Sequence, residues 1–251
     1  MLTFDPASPQ LIDKNTALTS TYWSGSDTLE QYNKNLNELG QDWEWANKTI
    51  EYNFNEFGHR SKSIKDLDKD FILCFGCSFT VGIGVQETDT WPHQLSRMFG
   101  LDYYNAGVGG AGMDICYYNS ILWKANNLPL PGLVVVAWPE DTRKSFALTE
   151  GDNILLDVSN QRSEMYSKLY ITDTAEQIMN NISWYEGFNS VWESLNIKVV
   201  NVNFNMLPQI DFLNIPSVSL DSDEGSGGAR DRMHDGPVYL ENIAKKVMSV
   251  L

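Results

Sequence analysis

The sequence predicts an α/β fold with a mainly parallel sheet. From residue 69 onward, the chain of 251 residues repeats short apolar runs, each followed by a Gly-rich or polar turn and then by a helical stretch. Apolar runs of about four to eight residues are typical of strands that are buried on both faces. Because these runs alternate with helices, the pattern indicates βαβ units and therefore a mainly parallel sheet.

Five runs are predicted strands, and four longer segments are predicted helices. We expect the strands at 71–75, 102–106, 133–138, 197–204 and 216–220. We expect the helices at 91–99, 114–126, 174–195 and 238–250. Thr90 is a favourable N-cap for the first helix, and Pro237 opens the last one at a position where proline is tolerated. The stretch 143–173 is weakly patterned, and we expect an insertion near the site.

Residues 1–66 differ in composition from the remainder, 67–251, because they are rich in Asn, Ser, Thr and Asp. Such a segment can hardly bury a core of its own. We therefore expect an N-terminal extension that packs on the main domain. Near its end, Ile50, Tyr52 and Phe54 alternate with polar residues, which is the pattern of a half-buried strand. This alternation predicts a hairpin added at the edge of the sheet.

Charge and composition exclude several classes of function. The chain has 33 acidic and 18 basic residues, a net charge of −15, so it lacks the basic surface that nucleic-acid binding requires. Neither a secretory signal nor a run of about 18 apolar residues is present, so we expect a cytoplasmic protein without a membrane span. The three cysteines, an odd number, are expected to be reduced thiols.

The turn after the first run places Ser78 directly beyond a buried strand, in the sequence Gly76-Cys77-Ser78. Active sites of open parallel sheets form at the carboxyl ends of the strands, so this hydroxyl is a candidate nucleophile. The alternative is an ordinary turn or cap serine. The Gly-x-Ser-x-Gly elbow of α/β-hydrolases is absent because position 80 is Thr, and the Cys74-x-x-Cys77 spacing is best explained by structural thiols.

The turn after the second run contains three glycines, Gly107, Gly109 and Gly112, with the Gly-x-Gly-x-x-Gly spacing. A dinucleotide site also requires an acidic residue about 20 positions further on, and 127–137 contain none. The cluster is therefore either a tight strand-to-helix turn or a source of backbone N–H donors aimed into a cleft.

Just before the last predicted helix lies Asp231-x-x-His234. A carboxylate three residues before a histidine can accept one imidazole N–H and leave the other ring nitrogen free to act as a base. An inert surface pair is the alternative for this motif alone. Its occurrence after a strand-end serine and a Gly-rich turn favours a Ser-His-Asp arrangement.

These ordered blocks resemble the SGNH hydrolases, also called the GDSL esterase/lipase family, over residues 69–251. The Gly76-Cys77-Ser78 block is similar to Gly-Asp-Ser, the stretch from Asn105 to Gly110 is similar to Asn-x-Gly-x-x-Gly, and Asp231 and His234 match Asp-x-x-His. The resemblance implies a flavodoxin-like three-layer α/β/α sandwich with a mainly parallel five-stranded sheet.

The same resemblance implies the roles of the site residues. Ser78 would be the nucleophile, His234 the base and Asp231 its partner. The N–H groups of Ser78 and Gly110 would form the oxyanion hole. Cys77 replaces the Asp of the first block, which is not the nucleophile in that family. No metal and no organic cofactor is implied.

The third block departs from the family, because Glu140 stands where an oxyanion-binding Asn is expected. A carboxylate there would repel the developing negative charge, and the loss of one donor typically costs about 100- to 1000-fold in rate. Either Arg143 or the Trp138 indole N–H supplies a replacement donor, or Glu140 and Arg143 pair at the surface and only the two backbone donors remain.

The sequence thus predicts a serine ester hydrolase of SGNH type that acts through an acyl-enzyme on a small-molecule or glycan ester. A second hypothesis is a catalytically impaired binding or assembly module that kept the fold, for which Glu140 is the main support. A dinucleotide-binding protein is a weaker third. The sequence predicts no oligomeric state.

Overall fold

The computed structural model describes residues 2–4, 16–141, 143–150, 153–159, 174–203 and 228–251. The first half of the chain contains β1 (Leu2–Phe4), β2 (Ser20–Thr21), α1 (Leu29–Leu39), β3 (Tyr52–Asn53), β4 (Phe71–Gly76), α2 (Ser78–Val81), α3 (Trp91–Phe99), β5 (Asp102–Gly107) and α4 (Met113–Ala125). The second half contains β6 (Leu133–Trp138), β7 (Lys144–Glu150), β8 (Asn153–Ser159), α5 (Thr174–Glu193), β9 (Lys198–Asn203) and α6 (Pro237–Ser249). Short 3-10 turns occupy Ile64–Asp66 and Glu87–Asp89.

The predicted α/β fold with a parallel sheet is confirmed. Strands β5, β4, β6 and β9 form the sheet in that order, and each neighbouring pair is parallel. Numbered along the chain, the order is second, first, third, fourth, as in flavodoxin-like doubly wound sheets. Four of the five predicted strands therefore lie in the sheet, and the run at 216–220 falls outside the described residues.

Helices cover both faces of the sheet, which gives three layers. Side chains that point to one face pack with α3 and α6, for example Ile72 and Val135 with Leu95 and Ile243. Those that point to the other face pack with α4 and α5, for example Phe75 with Phe188. All six residues of β4 and of β6 are buried, which explains their uninterrupted apolar sequence.

The helix boundaries follow from local chemistry and lie within about two residues of the predicted ones. The Thr90 side chain accepts a hydrogen bond from His93 N, and α3 ends at Gly100, whose φ of 65° suits a left-handed cap. Pro237 is the first residue of α6, where its missing N–H leaves no broken hydrogen bond.

The expected edge hairpin near residue 52 is wrong. The two-residue strand β3 pairs with β2 in a separate antiparallel sheet and not with any strand of the central sheet. Ile50 and Tyr52 are buried in the core on the α3 and α6 side, so their alternation with polar residues reflects packing over a helix layer. The side chain of Asn55 then accepts bonds from Phe57 N and His59 N, which turns the chain. The division of the chain at residue 66 stays a prediction.

The weakly patterned stretch 143–173 contains an antiparallel hairpin in its described part. Strands β7 and β8 pair from Lys144 to Ser159, and β1 adds to β8 as a third strand. The N-terminus is thereby joined to a segment more than 140 residues away in sequence. Among the described helices, none is both long and apolar enough to cross a membrane.

Candidate active site

The first wall of the site is the turn between β4 and α2. Gly76 has no room for a side chain, since a Cβ there would lie 2.8 Å from Ala137 O and would also overlap Thr80 Oγ1. Ser78 is the first residue of α2, so its N–H has no acceptor within the helix. The sharp turn leaves the Ser78 side chain partly exposed at the carboxyl end of the central strand.

The structure brings the predicted Ser78, His234 and Asp231 into one hydrogen-bonded chain. His234 Nε2 lies 2.7 Å from Ser78 Oγ, and His234 Nδ1 lies 2.6 Å from Asp231 Oδ2. With the ring hydrogen on Nδ1, the imidazole donates to the carboxylate, and Nε2 accepts from the serine hydroxyl. This is the arrangement that activates a serine for attack on a carbonyl carbon.

The turn that precedes α6 holds the carboxylate and the imidazole together. Asp231 Oδ1 accepts the backbone N–H of Met233 at 3.1 Å and that of His234 at 3.2 Å. Arg232 adopts a left-handed conformation with φ of 57° to close the turn. The ring of His234 also packs on Phe79, with the ring centroids 4.8 Å apart. The imidazole is thus held by its hydrogen bond to Asp231 and by its packing against Phe79.

The carboxylate of Asp231 is fully buried, yet it is stabilised as an anion. Burial raises its pKa, but hydrogen bonding from His234, the charge of His234 and the hydroxyl of Ser26 outweigh burial and hold the pKa of Asp231 below its ordinary value. The neighbouring Asp235 has no such donors in the described part of the chain, and burial raises its pKa. The two carboxylates of this turn are therefore electrostatically distinct.

The second wall is the Gly-rich turn after β5. Asn105 Nδ2 donates to Thr80 O at 2.7 Å, and Asn105 Oδ1 accepts from Gly107 N at 3.0 Å. Gly107 is required by this close approach, because a Cβ there would lie 2.7 Å from Val81 N. Asn105 therefore ties the second turn to α2, a structural function that its place in the motif did not reveal.

Gly110 lies at the exposed tip of this turn, with φ of 75°. Its N–H has no hydrogen-bond acceptor in the part of the chain that the structure describes. The N–H of Ser78 likewise has no acceptor among the described residues, and the oxyanion hole formed by these two groups stays a prediction.

The segment at the end of β6, which was expected to form the third side of the site, differs from the sequence expectation at Trp138. Trp138 is fully buried, its indole N–H donates to Asn201 Oδ1 at 2.9 Å, and its ring packs edge-on against Phe188. The expectation that Trp138 lines the site and supplies a donor is therefore wrong. The reason is the strand pleat, which directs this last residue of β6 toward the α4 and α5 layer.

Glu140 and Arg143 form the ion pair that was one of the two alternatives. Arg143 Nε lies 3.4 Å from Glu140 Oε2, and Arg143 N donates to Glu140 O at 3.2 Å. The Glu140 side chain is 41% exposed and that of Arg143 is 17% exposed. The neighbouring Asp141 is buried, and its carbonyl accepts from Gln177 and Asn181. The turn is thus anchored to α5, with the Glu140 carboxylate partly exposed and the Arg143 side chain largely buried.

All three cysteines are free and buried. Cys77 occupies the N-cap position of α2 without a side-chain hydrogen bond to the helix. It packs against Val108, Ala111 and Ile115, which accounts for an apolar side chain where Asp was expected from the resemblance. Burial raises the pKa of the Cys74 and Cys116 thiols, so these residues are poor nucleophiles.

Sequence reasoning missed one residue of the site, Ser26. Its hydroxyl donates to Asp231 Oδ2 at 2.6 Å, although 205 residues separate the two in sequence. No spacing or motif could have indicated this contact, because Ser26 lies in a Ser-rich stretch without a recognisable pattern.

Comparison with known proteins gave structural similarities only. No protein-family model matches the chain, and no curated protein matches it. Among solved structures, the chain is similar to a lipolytic protein of the G-D-S-L family from Desulfitobacterium hafniense, with 14% sequence identity and a TM-score of 0.46. The match covers 72% of this chain and 99% of that protein. An acetyl xylan esterase from Butyrivibrio proteoclasticus has 14% sequence identity and a TM-score of 0.47, and the match covers 72% of this chain and 63% of the esterase. The esterase EstA from a Pseudoalteromonas species has 10% sequence identity and a TM-score of 0.43, and the match covers 72% of this chain and 98% of that esterase.

Proposed function

We propose that the protein is a serine ester hydrolase of SGNH type. The observation that carries the proposal is the hydrogen-bonded chain from Ser78 Oγ through His234 to Asp231 Oδ2, with distances of 2.7 and 2.6 Å. These residues come from two turns 153 or more positions apart, and the turns meet at the carboxyl end of the sheet, where doubly wound folds place their sites. A structural hydrogen bond alone would not require the base, its carboxylate and a partly exposed hydroxyl in this order.

The proposed mechanism assigns one step to each of these three residues. His234 Nε2 takes the proton of Ser78 as Oγ attacks the ester carbonyl, and Asp231 stabilises the imidazolium that forms. The imidazolium then protonates the leaving alcohol, which leaves an acyl group on Ser78. Water, deprotonated by the same Nε2, attacks the acyl carbon and releases the acid and the free serine.

The oxyanion would be bound by the N–H groups of Ser78 and Gly110. Neither N–H has a hydrogen-bond acceptor among the residues that the structure describes, because Ser78 is the first residue of its helix and Gly110 lies at the tip of an exposed turn. The Glu140 carboxylate would oppose charge development here, and its pairing with Arg143 partly neutralises it. The proposed hole is therefore weaker than one that contains an Asn side chain.

We propose a small acyl group, on a glycan or another small ester, as the substrate class. The sequence has no long apolar segment that would form a lid over an acyl chain. On p-nitrophenyl esters of increasing length, we expect kcat/KM to be highest for acetate and to fall with longer chains. A clear optimum at acyl chains of about eight or more carbons would contradict the small-acyl proposal. It would not contradict the proposal that Ser78 is the nucleophile.

A second candidate function is a binding or assembly module without catalysis. It is favoured by the Glu140 carboxylate at the third block and by the salt bridge that engages Arg143. The two functions differ in the reactivity of Ser78, because an inert module has no need for an activated hydroxyl.

A fluorophosphonate probe decides between the two functions. We expect the wild-type protein to react at Ser78, the adduct being located by mass spectrometry of the peptides. His234→Ala should lose labelling because no base remains to take the proton. Absence of labelling in the wild-type protein, under conditions that label a control esterase, would contradict the proposal and favour the module.

Glu140→Asn is the companion variant in this experiment. It removes the carboxylate and offers an amide donor at the same place, so we expect labelling about tenfold faster than in the wild-type protein. An equal or slower rate in a folded Glu140→Asn protein would mean that the Glu140 side chain does not face the reacting centre.

A further inference from the structure

Asp231 has a second side-chain partner besides His234. Ser26 Oγ donates to Asp231 Oδ2 at 2.6 Å, the same oxygen that binds His234 Nδ1, and Ser26 Oγ lies 3.5 Å from that nitrogen. Ser26 belongs to the N-terminal residues that precede the region of family resemblance. A hydroxyl from outside the predicted domain thus reaches the pair on which the proposed chemistry depends.

We propose that Ser26 is a positioning residue for the Asp231–His234 pair, so that the N-terminal segment is part of the active site. The role in catalysis rests on the proposed hydrolase function. Ser26 touches neither the substrate nor Ser78 in this assignment and acts only through the carboxylate.

The carboxylate is saturated only when Ser26 is present. Oδ1 accepts the two backbone N–H groups of Met233 and His234, and Oδ2 accepts the imidazole N–H and the Ser26 hydroxyl. A carboxylate has about four acceptor sites, so these donors fill them. Because Asp231 is fully buried, water cannot readily replace a missing donor. Ser26 therefore fixes both the orientation and the charge of the group that holds the imidazole.

Ser26 is itself held in place by a tight turn. Ser24 N donates to Asp27 O and Asp27 N donates to Ser24 O, both at 3.0 Å, with Gly25 left-handed between them at φ of 59°. Ser26 lies within this closed turn. Its hydroxyl is therefore directed at Asp231 by the backbone and is not a free surface side chain.

A buried ion pair fastens that turn to the loop that carries Asp231. Asp27 accepts two bonds from Arg230, Nε at 2.9 Å and Nη2 at 2.7 Å, and both side chains are almost fully buried. Tyr52 extends the network, because its hydroxyl donates to Asp27 Oδ2 at 2.5 Å and accepts from Gly84 N at 2.8 Å. Arg230, which precedes Asp231, is thus bound by Asp27, which follows Ser26.

Further bonds from the N-terminal segment satisfy backbone carbonyls of the same loop. Gln31 Nε2 donates to Asp231 O at 3.3 Å, and Asn35 Nδ2 donates to Arg230 O at 2.9 Å. Trp45 Nε1 donates to Gly228 O at 2.9 Å. Such convergence on residues 228–231 indicates that the N-terminal segment shapes the loop and does not merely cover it.

The test uses histidine NMR, which does not depend on catalysis. The chain has three histidines, and burial lowers the pKa of His59 to about 3, so His59 stays neutral over the neutral pH range. Only His93 and His234 remain to be followed, and His93→Gln assigns them. Among the described residues, the charged groups that flank the pair along the chain are Asp235, Arg230 with its partner Asp27, and Arg232 with its partner Glu38, and none of them is altered.

For Ser26→Ala, we expect the Asp231–His234 pair to take up its proton at a higher pH than in the wild-type protein, because the carboxylate loses a donor that stabilises its charge. We expect fluorophosphonate labelling of Ser78 to slow by about three- to tenfold. Ser26→Thr keeps the hydroxyl and should restore both values. The matched control is Ser20→Ala, because the hydroxyl of Ser20 donates to the exposed Glu51 side chain and, among the described residues, makes no bond to Asp231 or His234.

An unchanged proton-uptake midpoint in folded Ser26→Ala would overturn the proposal, as would an equal shift in Ser20→Ala. If the wild-type protein is not labelled, the hydrolase function fails, yet the NMR titration still decides whether Ser26 controls the pair. The failure of the two proposals is therefore distinguishable.

Discussion

Ser78→Ala is expected to lower kcat/KM for p-nitrophenyl acetate by about 10⁵-fold or more, because it removes the oxygen that we propose as the nucleophile. The effect should not come from unfolding. The Ser78 hydroxyl is partly exposed and contacts His234, so its loss leaves no buried group unpaired. Initial rates and a thermal unfolding curve, measured on the same preparation, check both statements.

Cys77→Ala is the matched control for this prediction. Cys77 is the adjacent residue and carries the intrinsically stronger nucleophile, but its side chain is fully buried. We expect this variant to keep its activity within a few-fold of wild type, at a small loss of stability from the cavity. Activity that survives in Ser78→Ala and disappears in Cys77→Ala would assign the reaction to the thiol and contradict the proposed mechanism.

Asp231→Asn is expected to lower kcat/KM by about 10⁴-fold, the magnitude typical of losing the aspartate of a serine-hydrolase triad. An amide at this position can present its NH₂ group to His234 Nδ1 and favour the tautomer with hydrogen on Nε2. That tautomer cannot accept the Ser78 proton. Steady-state kinetics should show the loss in kcat with a smaller change in KM.

The control for Asp231→Asn is Asp235→Asn in the same turn. The Asp235 carboxylate is close enough to His234 to interact electrostatically but makes no hydrogen bond to either ring nitrogen in the described structure. A change of a few-fold at most is expected. Equal losses in the two variants would mean that general electrostatics, and not the Asp231 hydrogen bond, support the base.

The lowered pKa of Asp231 also predicts that the free energy of unfolding depends on pH. Its pKa is lower in the folded protein than its ordinary value of about 4, so the ionised carboxylate favours the folded state at any pH above that value. This contribution is lost as the pH falls through the lowered folded pKa. The stability difference between wild type and Asp231→Asn should therefore shrink below about pH 4, as unfolding curves at several pH values would show.

The sequence alone determined the sheet, the helices and the order of the site residues. The strands of a doubly wound sheet are buried on both faces, so β4 and β6 consist almost entirely of apolar residues and are visible without tertiary information. Likewise, Ser78 and the Asp231-x-x-His234 motif lie at element ends, where short-range patterns mark them. In the structure His234 is hydrogen-bonded to both Ser78 and Asp231, and the catalytic roles of the three residues stay a prediction.

Only the tertiary structure decided the contacts that join distant segments. The direction of the Trp138 side chain depended on the strand pleat, and the pairing of β3 with β2 joins two segments that are distant in sequence. The bond from Ser26 to Asp231 spans 205 residues and depends on the buried pair of Asp27 and Arg230, which no periodicity reveals. Local patterns record burial and turns, whereas the partner of a single polar side chain is fixed only when the whole chain has folded.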